Sequence, residues 1–348
     1  MILGKSFFNG LENAKLYLGN VLVYTSSLYN AITTAYNTRA LADGYTVESL
    51  PCVDTITDAF TSTPVAAMIP SGFKTSKFAS ILPNDGTGDF TVVRNSSKTR
   101  VNSNGLIETL PPNVIAPDYT DTGCPVLLIE PQSTNYFTHS NNFTDTDWES
   151  GGLTIVASST QTSPDGTINA SKFTQTSGTY SFIRQIVIKN CLSVFVKKID
   201  ANHFYLRADS SATGTAWLNY NFVTGAVNNA ALKVQTYNNG WVRLYTTSAD
   251  NLFNQFGIGQ DEFVAGDVNK SCYVCFSQAE PTSVTSYIPS TTAITTRLAS
   301  VITLDTASVT GTITSITETI DGITQTPITT IPSTYTIPVG KINKIIIN

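Results

Sequence analysis

The stretch that decides the fold runs from Gly88 to Asn135 and contains GDFTVVR (88–94), TRVNSNGLIE (99–108) and CPVLLIEPQSTN (124–135). In its first segment, Phe90, Val92 and Arg94 alternate with Thr91 and Val93. Side chains of successive residues point to opposite faces of a strand, so this alternation predicts a β-strand.

Turn signals divide the rest of the stretch. Asn104-Gly105 lies between two strand-like runs, and both residues accept the positive φ angles of a type I′ turn, so the pair predicts a hairpin. The apolar run Val126–Ile129 is bracketed by Pro125 and Pro131, which predicts a short strand buried on both faces. The stretch therefore reads as a compact β connector.

Composition limits the class of protein. Only 13% of the 348 residues are charged, and Thr, Ser and Asn take the place of Lys and Glu, which suits β-sheet surfaces. The net charge is −5 without a basic block, so nucleic acid is not expected as a partner. The opening residues lack a signal-peptide pattern and no apolar run approaches the length of a membrane span. We expect synthesis in a cytoplasm and no membrane insertion.

A series of short motifs runs through the chain in a fixed order. To the three segments above it adds PSGFK (70–74), SPDGT (163–167), NGW (239–241) and SYIPSTTAITTR (286–297). The series resembles a segment that recurs in bacteriophage virion proteins, mainly tail-fibre and head-fibre subunits, with the head fibres of crAss-like phages as one example. The resemblance covers roughly residues 27–297, and departs from the family's Ala-Asp-Gly-Gly at Ala42-Asp43-Gly44-Tyr45.

The chain divides into four predicted segments. Residues 1–26 contain a hairpin around Gly19-Asn20, which either opens the main fold or docks the protein on a platform. Residues 27–135 form an α+β connector, residues 136–297 a β-sandwich of short strands, and residues 298–348 a Thr/Ile-rich β tail. The predicted fold class is mainly β: a jelly-roll β-sandwich between a small α+β attachment and connector region and a β tail.

Two helices are predicted in the connector. The first spans residues 27–43, with Gly44 as its C-cap and an apolar face formed by Leu28, Ala31, Ile32 and Ala35. The second is Val53–Phe60. For the sandwich, alternation predicts a core of Phe173, Phe182, Ile186, Val194, Val196, Leu218, Phe222, Val242 and Leu244.

Aromatic residues carry the prediction of a binding site. On two predicted strands, an aromatic residue shares one face with amide or guanidinium groups: Trp217, Asn219 and Asn221 on the first, and Trp241, Arg243 and Tyr245 on the second. Such a face suits a sugar, whose C–H groups stack on rings while its hydroxyls form hydrogen bonds. We therefore predict carbohydrate binding by these six residues; the alternative is that Trp241 is buried and marks the sandwich core.

No catalytic residue, cofactor or metal site is predicted. His139 and His203 belong to no motif, and the adjacent Asp261 and Glu262 point apart on a strand, which leaves a polysaccharide depolymerase without a carboxylate pair. The acidic loops 84–89 and 145–147 each offer too few oxygens for calcium, so turn formation is expected and calcium binding is the alternative.

The cysteines also predict neither a metal site nor a disulfide framework. The five cysteines are scattered and odd in number, which argues against a disulfide framework. Cys272 and Cys275 face opposite ways on a strand, so we expect small buried hydrophobes rather than zinc ligands.

The resemblance implies a structural component of a phage particle. On this hypothesis the protein is a surface fibre or decoration subunit on head or tail, localised to the virion, with capsid or tail proteins as partners. It is not an enzyme and contacts host cell-surface polysaccharide; the alternative is a glycan-binding host-recognition adhesin of the tail. The apolar strand-forming tail predicts a homo-oligomer, because an uncovered edge needs a partner. The resemblance favours a trimer, with a dimer as the alternative.

Overall fold

The structure, a computed structural model, describes residues 15–18, 21–48, 64–120, 124–157, 160–178, 180–210, 214–261, 263 and 267–348, with side chains from Thr33 onward except at 208–210 and 249–254. The chain forms two units. The discontinuous unit comprises Met1–Ser103, Leu110–Pro131 and Ala299–Asn348, and the sandwich unit comprises Asn104–Thr109 and Gln132–Leu298. The segments 27–135 and 298–348, predicted as separate, thus belong largely to one unit.

The fold is mainly β, as predicted, and its strands pair antiparallel. The discontinuous unit contains helix α1 (Ser26–Ala42), a 3-10 turn at Thr306–Ser308, and strands β1 (Lys15–Leu18), β2 (Val21–Thr25), β3 (Thr46–Val47), β4 (Ala66–Met68), β5 (Gly72–Lys74), β6 (Lys77–Phe78), β7 (Phe90–Val93), β8 (Lys98–Val101), β10 (Pro117–Asp118), β11 (Val126–Ile129), β23 (Val301–Asp305), β24 (Ile316–Ile320), β25 (Ile323–Thr324), β26 (Thr334–Thr336) and β27 (Gly340–Ile347). Strand β9 (Ile107–Leu110) follows the turn after β8.

The sandwich unit consists of strands and turns in its described part. These are β12 (Ser133–Asn135), β13 (Glu149–Gly151), β14 (Leu153–Ala157), β15 (Ser171–Gln175), β16 (Phe182–Lys198), β17 (His203–Ser210), β18 (Gly214–Asn221), β19 (Lys233–Thr236), a 3-10 turn at Asn238–Gly240, β20 (Val242–Ile258), β21 (Ser271–Glu280) and β22 (Thr295–Arg297). The ladder between β12 and β22 joins the two ends of the unit.

Two six-stranded sheets build the discontinuous unit. One has the order β10-β11-β27-β24-β25 with β4 also beside β27, and the other has the order β26-β23-β7-β6-β5-β3. Apolar residues from both sheets, among them Phe90, Leu127, Ile302 and Ile342, form one buried cluster. Burial of such side chains is the main force that holds the sheets together.

The last strand, β27, is an inner strand rather than an exposed edge. One side pairs with β24, and the other pairs with β11 at Gly340–Ile342 and with β4 at Ile345–Ile347. The expectation that this strand forms an exposed edge is therefore wrong, and the strand gives no reason to expect an oligomer. The sequence shows that the segment is strand-forming, but its pairing partners are fixed by strands far away in the chain.

The connector behaves in part as predicted. In β7, Phe90 and Val92 are buried while Val93 is exposed. Strand β8 pairs with β9 across Asn104-Gly105, as predicted, but only Gly105 has a positive φ, of 73°, so the turn is not type I′. In β11, only Leu127 and Ile129 are buried and their neighbours are half-buried. Burial of this strand on both faces was the wrong expectation, because its sheet has the core on one side.

Helix α1 matches its predicted bounds to within one residue, but its predicted face is wrong at Ala35; the side chains of Leu28, Ala31 and Ile32 lie outside the described residues. Tyr36 and Ala40 are buried, whereas Ala35 is exposed. The hydroxyl of Tyr36 accepts a hydrogen bond from the backbone N–H of Gly72 at 2.7 Å, an approach that a side chain at position 72 would block. The predicted Gly19-Asn20 turn and the predicted helix Val53–Phe60 lie outside the described residues. No helix in the described part of the chain has the length and apolarity of a membrane span.

The sandwich unit is organised by its two longest strands. The first half of β16 pairs with β13 and the second half of β20, which continues to β17 and β18; we call this layer the front layer. The second half of β16 pairs with β21 and the first half of β20, which continue to β15, β14 and β19; this is the back layer. The strands of both layers belong to one nine-stranded sheet, and register shifts along β16, between Arg184 and Ile188 and between Lys189 and Cys191, lie where one layer passes into the other.

One apolar cluster contains buried residues from both layers. It includes five residues of the predicted core, namely Phe173, Val194, Val196, Leu218 and Leu244, with Phe222 and Val242 packed against it. Two predicted members are wrong: Phe182 is only half-buried and Ile186 is 78% exposed. Ile183 occupies the inward position instead, which places Phe182 on the opposite face of β16.

The cysteines divide into two kinds. Cys191, Cys272 and Cys275 are free and buried, and burial raises the pKa of the Cys272 and Cys275 thiols. Cys272 and Cys275 are small buried side chains, as expected. Cys124 is disulfide-bonded, which the scattered spacing did not lead us to expect.

Candidate functional site

Three of the predicted site residues lie together on the outer face of the front layer. In β18, Leu218 and Tyr220 belong to the apolar cluster, so Trp217, Asn219 and Asn221 face away from it. The outward face of this strand is predicted correctly from the sequence, because apolar and polar residues alternate regularly along it.

Trp217 forms the centre of a small aromatic group. Its ring meets Tyr205 edge-on at a centroid distance of 5.2 Å and Phe263 at 6.0 Å. The guanidinium carbon of Arg207, which lies directly opposite Trp217 in the ladder, is 5.4 Å from the ring centroid. We call Trp217, Arg207, Asn219 and Phe263 the Trp217 corner. Phe263 is 67% exposed and Trp217 is half-buried, so aromatic surface remains accessible.

A chain of hydrogen bonds holds the floor beneath this corner. Arg207 Nη1 donates to Gln255 Oε1 at 3.3 Å, Gln255 Nε2 donates to the Tyr205 hydroxyl at 3.2 Å, and that hydroxyl donates to the Ser181 carbonyl at 2.6 Å. Tyr205 and Gln255 are fully buried. Because a buried amide or hydroxyl without a partner is costly, each of these groups fixes the next.

Gly257 makes room for this series of hydrogen bonds. A Cβ atom on Gly257 would lie 2.7 Å from the Ser181 carbonyl oxygen and 3.0 Å from Tyr205 Cε1. Gly257 is opposite Tyr205 in the ladder, so the absence of a side chain there lets the tyrosine ring lie across β20.

The two asparagines play different parts. Asn219 Nδ2 donates to the Gln260 carbonyl at 3.3 Å and so connects the corner to the loop that carries Phe263. The side-chain oxygen of Asn221 accepts from the backbone N–H groups of Val223 and Thr224, at 2.8 and 3.0 Å. Asn221 therefore serves the turn after β18.

The other three predicted residues lie in the back layer, away from the core. Trp241 is 1% exposed and its indole N–H donates to the Thr162 carbonyl at 2.9 Å. Arg243 is 4% exposed and donates to the Thr285 carbonyl and to Ser193 Oγ, both at 2.8 Å. Tyr245 is half-buried.

The six predicted residues therefore do not form one face. Trp241 is buried, as the alternative states, although it lies outside the apolar cluster formed by residues of both layers. Trp241 and Arg243 have their polar groups engaged within the chain, so we withdraw both from the predicted binding residues. Both side chains are buried because the segments around Thr162 and Thr285 lie over them and accept their hydrogen bonds.

Sequence reasoning missed Arg207, Tyr205 and Phe263. A signal existed for two of them, because His203, Tyr205 and Arg207 alternate with the apolar Phe204 and Leu206 on β17. Phe263 lies in a loop, where no periodicity applies.

The acidic loops form turns. Asp85 Oδ1 accepts from the backbone and hydroxyl of Thr87, which lowers the pKa of Asp85. In the second loop, His139, Asp145 and Asp147 bring potential ligand atoms within 4.8 Å of one another, and Asp147 also accepts from the Thr138 hydroxyl at 2.6 Å. His139 was not part of the predicted cluster.

Comparisons with known proteins add little. No family model and no curated protein matches the chain. A solved structure described as "Structural basis for the promiscuous specificity of the carbohydrate-binding modules from the beta-sandwich super family" matches at 12% identity, covering 56% of this chain and 86% of that one, with a TM-score of 0.23. A TM-score this low does not establish a common fold, and the ligand of that module does not transfer to this chain.

Proposed function

We propose that this protein is a surface subunit of a bacteriophage particle, a fibre or decoration protein, whose sandwich unit binds a glycan of the host surface without chemical turnover. The observation that carries the binding proposal is the Trp217 corner. It offers exposed ring surface for the C–H face of a sugar, and guanidinium and amide groups for its hydroxyls.

The exposed groups of the corner suit binding rather than catalysis. Indole, phenyl, amide and guanidinium groups stack and donate hydrogen bonds, but they are poor proton donors and acceptors at neutral pH. The Tyr205 hydroxyl beneath them is buried and already donates to Ser181. This supports the proposal of a non-enzymatic role.

The particle proposal rests on the order of the recurring motifs. Residues of two of these motifs hold the discontinuous unit together. The backbone N–H of Gly72 in PSGFK donates to the Tyr36 hydroxyl of helix α1, and Asp89 of GDFTVVR accepts from Arg39 and Tyr45, both at 2.6 Å. Such residues maintain a scaffold, whereas the Trp217 corner lies on β17, β18 and a loop that contain none of the motifs.

Glycan binding is tested with an array of bacterial surface glycans. We expect full-length protein to bind a subset of them, and Phe263→Ala and Trp217→Ala to lose that binding while the melting temperature of Phe263→Ala stays unchanged. Tyr245→Ala, on the back layer, is the matched control. Loss of binding in Tyr245→Ala but not in the corner variants would move the site to the other layer.

Particle location and oligomeric state need separate tests. Antibody labelling of particles in the electron microscope distinguishes head, tail and no particle at all. The trimer remains our proposal on the resemblance alone, since β27 is paired within the chain. It is tested by the mass of the full-length protein in solution, because a chain ended at Arg297 would lose β23 to β27, which belong to both sheets of the discontinuous unit.

A further inference from the structure

A single row of side chains crosses the outer face of the front layer from one edge to the other. On one side, Glu149 on β13 is opposite Arg184 on β16, which is opposite Gln255 on β20. Gln255 accepts a hydrogen bond from Arg207 on β17, and Arg207 is opposite Trp217 on β18. Residues opposite one another in a ladder share a face. The Trp217 corner is therefore one end of a row whose other end is the Glu149–Arg184 pair, called here the Arg184 end.

The Arg184 end carries a second aromatic pair. Tyr180 and Phe182 have ring centroids 6.3 Å apart, and Tyr180 is 44% exposed. Both rings lie against Gly151, where an added Cβ would be 2.6 Å from Phe182 Cε1 and 2.8 Å from Tyr180 Cε2. The glycine lets both rings settle on the sheet, as Gly257 does for Tyr205 at the centre.

The two ends of the row have the same arrangement of side chains. At each end an arginine lies over one ring of an aromatic pair: Arg207 over Trp217 at 5.4 Å and Arg184 over Phe182 at 4.9 Å. Arg184 is oriented by a two-point ion pair with Glu149, at 2.9 and 2.7 Å. The guanidinium thus stacks on the ring with its position fixed by a neighbour in both cases.

The separation of the two ends sets the size of a ligand that contacts both. From β16 through β20 and β17 to β18 there are three strand spacings, which at about 4.8 Å each give roughly 14 Å. One sugar ring cannot reach across that distance, whereas several linked sugars can. Two stacking positions on one ligand also strengthen binding more than either alone.

We infer that the ligand is an extended glycan that lies across the strands of the front layer and contacts the Tyr180–Phe182 pair and the Trp217 corner at once. The inference rests on the proposed function and specifies it: the recognised unit is an internal stretch of several sugars, not one terminal sugar. The central residues Tyr205 and Gln255 are buried, so the contacts are made at the two ends.

The test uses oligosaccharides of increasing length, cut from whichever polysaccharide full-length protein binds on the array. We expect affinity to rise steeply once the oligosaccharide spans both ends. Tyr180→Ala and Phe182→Ala should each lower the affinity for long oligosaccharides up to about tenfold, by loss of one stacking contact. Neither should change the affinity for short ones held at the Trp217 corner.

The variants separate this inference from the proposed function. Tyr180 is exposed enough for Tyr180→Ala to fold, and unchanged melting of that variant is the control. If Tyr180→Ala and Phe182→Ala bind every length like the parent while Phe263→Ala does not, the site is confined to the corner and the inference fails alone. If the parent protein binds no glycan, the proposed function fails and the inference with it.

Discussion

Trp217 and Trp241 look alike in the sequence and occupy different surroundings in the structure. Each stands beside alternating polar residues of a strand. Trp217 keeps ring surface exposed next to Arg207 and Phe263, whereas Trp241 is 1% exposed and donates to the Thr162 carbonyl. Alternation tells which face of a strand a side chain takes, but not whether other chain segments cover that face.

The arginines beside them repeat the contrast. Arg243 is buried, donates to Thr285 and Ser193, and lies over the Phe195 ring at 5.4 Å. Arg207 is half-buried and lies over a ring that is itself partly exposed. A buried guanidinium with its donors engaged is a structural group, because its removal leaves buried acceptors unpaired. The outer face of the back layer is therefore covered at Trp241 and Arg243, whereas the front layer meets solvent at the Trp217 corner.

The largest expected effect comes from the core that both layers share. Leu244 is fully buried in the cluster between Arg243 and Tyr245. Leu244→Asp should destabilise the sandwich unit by roughly 4 kcal/mol or more, because an unpaired charge would be buried. Thermal or denaturant unfolding measures this. A melting temperature equal to that of the parent would show that β20 presents its other face to the core.

Next in size is the difference between the two tryptophans. Trp241→Ala should cost about 3–5 kcal/mol of unfolding free energy, as expected for a large buried side chain. Trp217→Ala should cost about 1–2 kcal/mol, since part of its ring is already in water. Equal losses in denaturant unfolding would remove the contrast, and a larger loss at Trp217 would reverse the assignment of structural and binding residues.

A smaller effect is expected for the floor of the Trp217 corner. Tyr205→Phe keeps the ring and removes the hydroxyl between Gln255 and the Ser181 carbonyl, which should cost about 1–2 kcal/mol. We expect Arg207 to lose its fixed position as well, so glycan affinity should fall although Tyr205 is buried. Tyr220→Phe, on the core side of the neighbouring strand, is the control. An unchanged affinity in Tyr205→Phe would show that the hydrogen-bond chain does not position the corner.

The sequence predicted what local pattern controls. The class of fold, helix α1, the Asn104-Gly105 hairpin and the outward side of Trp217 all follow from periodicity or turn chemistry. Prediction from the sequence failed where segments far away in the chain decide whether a strand is paired or a side chain is buried. Ile345 and Ile347 look like an exposed edge until β4 pairs with them, and Trp241 looks outward until residues near Thr162 cover it. Tyr180 and Phe182 were missed as a binding pair because both rings lie against Gly151, which is opposite Phe182 in the ladder but distant in the sequence.

The smallest effect concerns the far end of the front layer. The hydrogen bonds from Arg184 lower the pKa of Glu149 below its usual 4.5. A carboxyl whose pKa is lower in the folded protein contributes stability above its unfolded pKa and loses it as the pH falls through the folded value. Since the pair is exposed, the loss in stability should be slight, but Arg184 should lose its fixed position over Phe182 in the same range. A carboxyl titration followed by NMR should place the Glu149 midpoint below 4.5, and Arg184→Gln should return it to the usual value. A midpoint at or above 4.5 in the parent protein would mean that the ion pair does not hold Arg184, and that the two ends of the row are less alike than their geometry indicates.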